Sequence, residues 1–149
     1  MDRWYFAYGS NLLIDQMVAR TEPLRTGEEQ PRKARLPNHE LAFNMLAEDS
    51  QCYANIVQPG SGVIGVVYRC SSESLAKLDR FETGYERCEV NVVDEQNNVL
   101  AAVTYIASPD CVKSGGIPSN DYVQRILKGA RSHNLPPDYI AAIVASITI

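Results

Sequence analysis

A stretch close to the N-terminus, Trp4–Leu12 (WYFAYGSNL), places the tightest constraint on the fold of this chain. Its aromatic and small apolar residues are typical of a buried strand, and Gly9-Ser10-Asn11 is typical of a turn that leads into a helix. A strand that runs into such a turn presents several free backbone N–H groups in one direction. The stretch therefore predicts a local site suited to a carboxylate or to a developing oxyanion.

Length and composition indicate one ordinary globular domain. The chain has 149 residues, 45% hydrophobic and 21% charged, and we interpret residues 1–149 as a single domain. The formal net charge of −4 argues against binding nucleic acid or an anionic membrane, since either would need a basic face. No run approaches the ~18 apolar residues of a membrane span. The N-terminus lacks the pattern of a secretory signal, so we expect a cytoplasmic protein.

Cysteine and histidine usage does not indicate a metal site. The four cysteines are widely spaced, form no C-x-x-C pair and are accompanied by only two histidines. Zinc sites and dense disulfide frameworks have more closely patterned cysteines. We therefore expect neither, and we expect Cys70 and Cys88, which lie in apolar runs, to be packed thiols.

Apolar runs separated by turn residues predict about six strands, counting the first. Val63–Cys70 is apolar through most of its length, which predicts a buried strand, and its central Gly65 predicts a bend or a close backbone approach. The polar segment Thr26–Leu36 is expected to be an extended edge. The other predicted strands are Glu40–Asn44, Tyr53–Gln58, Tyr85–Val93 and Val99–Ile106.

Helical spacing of apolar residues predicts helices between and after the strands. The first is expected over Asn11–Arg20, and the second over Glu73–Phe81 with a cap at Ser71-Ser72. Two more are expected at the C-terminus, one capped by Ser119 and one beginning at Pro136-Pro137. The residues expected to face inward are Leu75, Leu78, Tyr122, Val123, Ile126, Leu127, Ala130, Ile140, Ile143, Val144 and Ile147.

These elements predict an α+β fold. Hairpins and bent, glycine-containing strands favour a small mixed β-barrel over a doubly wound parallel sheet. Short helices are expected to flank the barrel, and two helices are expected at the C-terminus. The chain contains neither a G-x-G-x-x-G nor a P-loop sequence, so nucleotide binding is unsupported.

Glu82 is a candidate general base because of its position in the chain. It follows the predicted Glu73–Phe81 helix and precedes a Thr-Gly turn. The negative end of a helix disfavours a carboxylate, and a partly dry site would raise its pKa further. A carboxyl group with a raised pKa can take up and return protons near neutral pH. The alternative interpretation is a solvated surface glutamate.

Tyrosine is abundant, with eight residues against three phenylalanines and one tryptophan. At the ends of predicted elements, tyrosines can line a pocket while their hydroxyls bond a polar ligand. The alternative is that they are ordinary strand residues with hydrated hydroxyls. The tyrosines in such positions are Tyr5, Tyr8, Tyr85, Tyr105 and Tyr122.

Ser10 could instead be the nucleophile of a serine hydrolase. The chain lacks the G-x-S-x-G sequence, and His39 and His133 both lie beside polar, loop-like residues. A Ser-His-acid triad is therefore possible but unsupported by the sequence.

Several motifs, in the same order over nearly the whole chain, resemble the γ-glutamylcyclotransferase family. The first is the N-terminal signature, and Leu78-Asp79-Arg80-Phe81-Glu82 resembles the family's L-D-x-x-E segment, which carries the catalytic glutamate. The motifs are Tyr5–Leu13 (YFAYGSNLL), Ala34–Leu36 (ARL), Gly65–Tyr68 (GVVY), Leu78–Glu82 (LDRFE), Pro118-Ser119-x-x-Tyr122 and Gly129–Tyr139 (GARSHNLPPDY).

The resemblance implies that the chain converts a γ-glutamyl compound to 5-oxoproline and a free amine by intramolecular aminolysis. Glu82 would act as general acid and base. The implied partner is a small γ-glutamyl substrate, with no cofactor or metal, and a homodimer is possible. The positions that match substrate contacts are Tyr5, Phe6, Ala7, Tyr8, Gly9, Ser10, Asn11 and Tyr122, with Tyr85 and Tyr105 near the site.

The chain departs from the best-known members of that family after Glu82. Only Thr83-Gly84 separates Glu82 from Tyr85, where those members have a longer loop beside the leaving group. The sequence therefore does not determine the identity of the leaving amine. It could be an amino acid, another amine, or an intermediate whose γ-glutamyl protecting group is removed in a biosynthetic pathway. A non-catalytic protein that binds a γ-glutamyl compound is the further alternative.

Overall fold

A computed structural model describes residues 2–21 and 30–147, and its strands and helices follow the predicted order closely. The strands are β1 (Arg3–Ala7), β2 (Arg32–Leu36), β3 (Glu40–Leu46), β4 (Cys52–Val57), β5 (Val63–Cys70), β6 (Tyr85–Asp94) and β7 (Val99–Ala107). The helices are α1 (Ile14–Thr21), α2 (Ser72–Phe81), α3 (Asn120–Ser132) and α4 (Pro137–Ile147), with short 3₁₀ turns at Ser10–Leu12 and Pro109–Cys111.

Five of the strands close into a barrel in the order β1-β5-β2-β6-β7. β1 pairs antiparallel with β5 and parallel with β7, so the barrel is mixed. This confirms the predicted α+β fold with a small mixed barrel and two C-terminal helices. The pairing of β3 with β4 in a separate two-stranded sheet was not predicted.

The polar segment Thr26–Leu36 was expected to be an edge, and in this respect the prediction is wrong. Its first part, residues 26–29, lies outside the described residues, and β2 lies between β5 and β6 in the closed barrel. Ala34 and Leu36 are buried, while the charged Lys33 and Arg35 alternate with them and project to the other face. Alternation of charged and apolar residues indicates that one face of the strand is exposed to solvent. It does not reveal whether both edges of the strand are paired.

Gly65 marks a close backbone approach, as predicted. The carbonyl group of Ala7 occupies the space that a Cβ atom on Gly65 would need. β1 can therefore lie close against β5 at the end that leads into the Gly9 turn. The glycine thus helps to determine where that turn leaves the barrel.

The predicted helix caps are confirmed, and one predicted inward residue is not. The Ser71 and Ser119 hydroxyls accept hydrogen bonds from the backbone N–H groups of Ser74 and Tyr122. On α4, Ile143 is buried, but Val144 is 40% exposed and does not face inward as predicted. α4 lies at the end of the described chain and buries only a narrow stripe of its surface, which helical spacing alone does not reveal.

Candidate active site

A cavity of about 310 Å³ opens where β1 ends. Its walls come from the turn after β1, the ends of α1 and α2, the β3–β4 sheet and α3. A cavity of this size suits a small-molecule ligand. The candidate residues that line it are Tyr5, Tyr8, Gly9, Ser10, Asn11, Glu82, Tyr85, Tyr105 and Tyr122.

Glu82 directly follows α2 as its C-cap residue, and its carboxylate lies in the cavity wall. The side chain is only 13% exposed, so the interpretation as a solvated surface glutamate is wrong. Its Oε1 atom accepts a hydrogen bond of 3.3 Å from Asn11 Nδ2 and lies 3.7 Å from Arg20 Nη1. The carboxylate is therefore positioned by the turn after β1 and by α1.

Burial raises the pKa of Glu82 to about 7. The Arg20 guanidinium and the Asn11 amide oppose this rise, whereas the nearby Asp79 carboxylate adds to it. The direction agrees with the expectation from the sequence. A carboxyl group that titrates near neutrality can both accept and return a proton during a reaction.

Asn11 connects the turn to this carboxylate. Its side chain is almost fully buried, and Nδ2 donates both to the Tyr5 hydroxyl, at 2.9 Å, and to Glu82. Its Oδ1 atom accepts from Gln16 Nε2 at 3.0 Å and from Arg20 Nη1 at 3.3 Å. A buried amide bonded at both ends has little freedom to rotate, so Asn11 fixes the position of the carboxylate.

The turn after β1 has backbone N–H groups available to a ligand. Within the described part of the chain, the N–H groups of Gly9 and Ser10 have no hydrogen-bond acceptor. The 3₁₀ turn begins at Ser10, and the first N–H groups of such a turn are unpaired because no earlier turn precedes them. Since both residues line the cavity, their N–H groups can serve an oxyanion or a carboxylate.

Ser10 is not arranged as a nucleophile. Its hydroxyl accepts a hydrogen bond of 2.7 Å from Gln16 Nε2. The rings of His39 and His133 each bond a backbone carbonyl group, and neither histidine lines the cavity. The hydrolase alternative therefore lacks a base that would activate the serine.

Three of the five candidate tyrosines use their hydroxyls to bond other parts of the protein. Tyr8 donates to the carbonyl of Tyr105 at 2.5 Å, and Tyr85 donates to the carbonyl of Ala54 at 2.6 Å. Tyr105 donates to the Asp79 carboxylate at 2.6 Å. Their rings line the cavity, but these hydroxyl protons are already engaged.

The hydroxyls of Tyr5 and Tyr122 are arranged differently. Tyr5 accepts from Asn11 Nδ2, and Tyr122 accepts from the backbone N–H of Ala54 at 3.0 Å. Burial raises the pKa of both tyrosines, so they stay protonated at neutral pH. Among the described residues neither hydroxyl proton has an acceptor, which leaves both able to donate to a ligand.

Phe6 and Ala7, the remaining predicted contacts, lie behind the cavity lining rather than in it. Alternate strand residues face opposite ways, so Phe6 points away from the side that Tyr5 faces, and it is fully buried. Its carbonyl accepts a hydrogen bond of 2.8 Å from the Thr104 hydroxyl. Both residues support the wall by packing, without an exposed atom in it.

Two cations in the cavity lining, Arg20 and Arg125, were missed in the sequence. The signal that could have revealed Arg20 is its spacing from Gln16, four residues earlier. Residues at this spacing share one helix face, and both side chains donate to Asn11 Oδ1. Arg125 lies on α3, and its Nη1 atom is 3.5 Å from Gln16 Oε1.

The described residues contain no group of three or more histidine, cysteine or acidic side chains that could hold a metal ion. No helix in the described ranges, 2–21 and 30–147, is long and apolar enough to cross a membrane.

Fold and site define a small mixed barrel whose first strand ends in a Tyr-Gly-Ser turn beside a buried glutamate. Residues 62–143 match the AIG2-like family. The human γ-glutamylcyclotransferase is 32% identical over 91% of this chain and 73% of its own length, and the mouse protein is 30% identical with the same coverage. The chain belongs to the γ-glutamylcyclotransferase family and is an enzyme of that class.

Solved structures agree with this assignment. A structure titled γ-glutamyl cyclotransferase superposes with a TM-score of 0.83 at 28% identity, over 97% of this chain and 88% of that one. A yeast cyclotransferase described as specific to glutathione superposes with a TM-score of 0.70, over 99% of this chain and 98% of its own. At 13% identity the yeast protein shows a shared fold only.

Proposed function

We propose that this enzyme converts a γ-glutamyl amino acid or γ-glutamyl amine to 5-oxoproline and the free amine, with Glu82 as general acid and base. The observation that carries the proposal is the buried Glu82 carboxylate, with its pKa of about 7, in the wall of the cavity. The available N–H groups of Gly9 and Ser10 in the same cavity support it.

The reaction needs one proton carrier and no redox partner. The α-amine nitrogen of the glutamyl group attacks its own γ-carbonyl carbon, and Glu82 takes the proton that this nitrogen loses. The tetrahedral intermediate carries an oxyanion, for which the N–H groups of Gly9 and Ser10 are suitable donors. Collapse breaks the bond to the leaving nitrogen, which receives the proton from Glu82, and the ring product is 5-oxoproline.

Much of the rate enhancement in this scheme comes from holding the substrate folded, because both reacting groups belong to one molecule. The amine must lie ~3 Å from the carbonyl carbon for attack. The tyrosine rings that line the cavity restrict the glutamyl chain, and the Tyr5 and Tyr122 hydroxyls can orient its polar groups. These contacts are part of the proposal.

A panel of γ-glutamyl amino acids and γ-glutamyl amines, assayed for 5-oxoproline, tests the function. We expect Glu82→Gln to lower kcat by ~10²-fold or more, the usual effect of removing a positioned base. The wild-type kcat/KM should rise with pH through about 7, as Glu82 ionises. Glu89→Gln, which changes an exposed glutamate on β6, is the matched control and should remain active.

Full activity of Glu82→Gln would overturn the assignment of the base. Retention of intact γ-glutamyl compounds by the wild-type protein, without turnover, would indicate a binding protein instead. Turnover restricted to γ-glutamylated intermediates of one biosynthetic route would identify removal of a protecting group. The homodimer and the cytoplasmic location stay predictions.

A further inference from the structure

The glutamyl end of the proposed substrate carries an α-carboxylate, and the cavity contains a cation placed to receive it. Arg20 extends from the last turn of α1, and its side chain is 23% exposed. The guanidinium carbon lies 5.0 Å from the centre of the Phe81 ring, and Nη1 donates to Asn11 Oδ1 at 3.3 Å. These contacts hold the guanidinium at the cavity wall.

The contacts within the protein leave most of this guanidinium available. It has five N–H donors, and among the described residues it makes one hydrogen bond, to Asn11. Its ion pair with Glu82 spans 3.7 Å, which is longer than a hydrogen bond. A carboxylate ligand could therefore take two parallel hydrogen bonds from Arg20 without displacing the Asn11 contact.

Substrate chemistry determines where the carboxylate must bind. In a γ-glutamyl compound the α-amine and the α-carboxylate are attached to the same carbon atom. If Glu82 receives the proton of the α-amine, the group that holds the carboxylate must lie next to Glu82. Of the two arginines in the described cavity lining, Arg20 pairs with Glu82, whereas Arg125 is exposed and reaches Gln16 on α1.

We propose that Arg20 binds the α-carboxylate of the γ-glutamyl group and thereby restricts the enzyme to substrates in which that carboxylate is free. This inference rests on the proposed function, since it takes Glu82 as the base. A bound carboxylate would also compete with Glu82 for the guanidinium. The ionised form of Glu82 would then be less stabilised, which makes it a better proton acceptor when substrate is present.

The test compares γ-glutamyl-alanine with a counterpart in which the α-carboxylate of the glutamyl group is replaced by a carboxamide. This counterpart keeps the α-amine, the γ-amide and the alanine carboxylate. For the wild type we expect kcat/KM to favour the free carboxylate by ~10- to 100-fold, the usual range for a charge-assisted hydrogen bond. Arg20→Gln should reduce this preference to within a few-fold, mainly through a higher KM for the carboxylate compound. Arg125→Gln is the matched control, and it should keep the preference.

Arg20→Lys provides a second test if Arg20→Gln fails to fold. It retains the charge but cannot form the two parallel hydrogen bonds, so we expect an intermediate preference. A wild-type preference retained in both Arg20 variants would overturn the inference and leave the proposed function standing. Absence of 5-oxoproline from every γ-glutamyl compound tested with the wild type would instead overturn the proposed function.

Discussion

A buried carboxylate with a raised pKa, such as Glu82, makes the folded protein less stable at the pH where it is charged. Its pKa rises from an ordinary value of 4.5 to about 7 on folding. The contribution of Glu82 to the stability is therefore most favourable below pH 4.5, where folded and unfolded chains both carry a neutral Glu82. This contribution is lost as the pH rises from 4.5 through about 7, where the folded chain must hold the buried charge.

We therefore predict that Glu82→Gln is more stable than the wild type at pH 8, by about 3 kcal/mol, since one pKa unit corresponds to about 1.4 kcal/mol. Urea unfolding of both proteins at several pH values between 4 and 8 measures the difference. It should be smallest at pH 4 and grow through the range between the two pKa values. A constant difference at all pH values would contradict a raised pKa for Glu82.

At the residue scale the sequence predicted positions better than contacts. Glu82 could be singled out because it follows a helix and precedes a glycine turn. The hydrogen bond between Asn11 and Glu82 could not be predicted, because the two residues are 71 positions apart in the chain. The bond depends on how α2 packs beside the first turn. The sequence allowed the Tyr85 hydroxyl to bond a ligand, but in the structure this hydroxyl donates to the backbone carbonyl of Ala54.

The turn after β1 is held in place from behind by α3. Gly129 packs directly on the backbone of Leu12, and the His133 ring bonds the Leu12 carbonyl at 2.8 Å. The Tyr68 hydroxyl, from β5, donates to the carbonyl of Asn11 at 2.8 Å. The elements on both sides therefore fix the backbone that carries the Gly9 and Ser10 N–H groups.

Gly129→Ala tests whether this packing matters more than helix propensity. Propensity alone predicts a gain of about 1 kcal/mol from alanine in a helix. The added Cβ, however, would lie 2.6 Å from the carbonyl carbon of Leu12, and overpacking of this kind usually costs ~1–3 kcal/mol. We predict a less stable protein with lower kcat, measured by urea unfolding and by 5-oxoproline formation.

Lys128→Ala, at the neighbouring exposed position of α3, is the control for the helix itself. It should change the free energy of unfolding by no more than about 0.5 kcal/mol. A Gly129→Ala protein that is more stable than the wild type would show that α3 can move away from the turn at little cost.

At the element scale, local patterns predicted most helices and strands, and the errors concern pairing. The caps at Ser71 and Ser119 depend on residues a few positions away, so they were visible in the sequence. β2 was misjudged as an edge because both of its partners come later in the chain. The β3–β4 sheet was predicted as two strands, but its separation from the barrel depends on long-range packing.

For the whole molecule, Ala54 of β4 is one of the positions at which the two-stranded sheet bonds the rest of the protein. The β3–β4 register shifts between the pairs Ala42–Asn55 and Met45–Tyr53, so Ala54 lies opposite an irregularity in the ladder. Its N–H and carbonyl groups bond the hydroxyls of Tyr122 and Tyr85 instead. Tyr85 and Tyr122, which line the cavity, therefore also connect the β3–β4 sheet to β6 and α3.

Tyr85→Phe should weaken this junction. Ala54 is 2% exposed, and its carbonyl would lose the hydrogen bond from the Tyr85 hydroxyl, a change that usually costs ~1–3 kcal/mol. We predict this loss of stability in urea unfolding, together with faster hydrogen exchange of the β3–β4 amides. Tyr53→Phe is the matched control, because the Tyr53 hydroxyl bonds the exposed carboxylate of Asp49 and should contribute little to the stability. Equal stabilities of the two variants would show that the Tyr85 bond does not hold the sheet to the barrel.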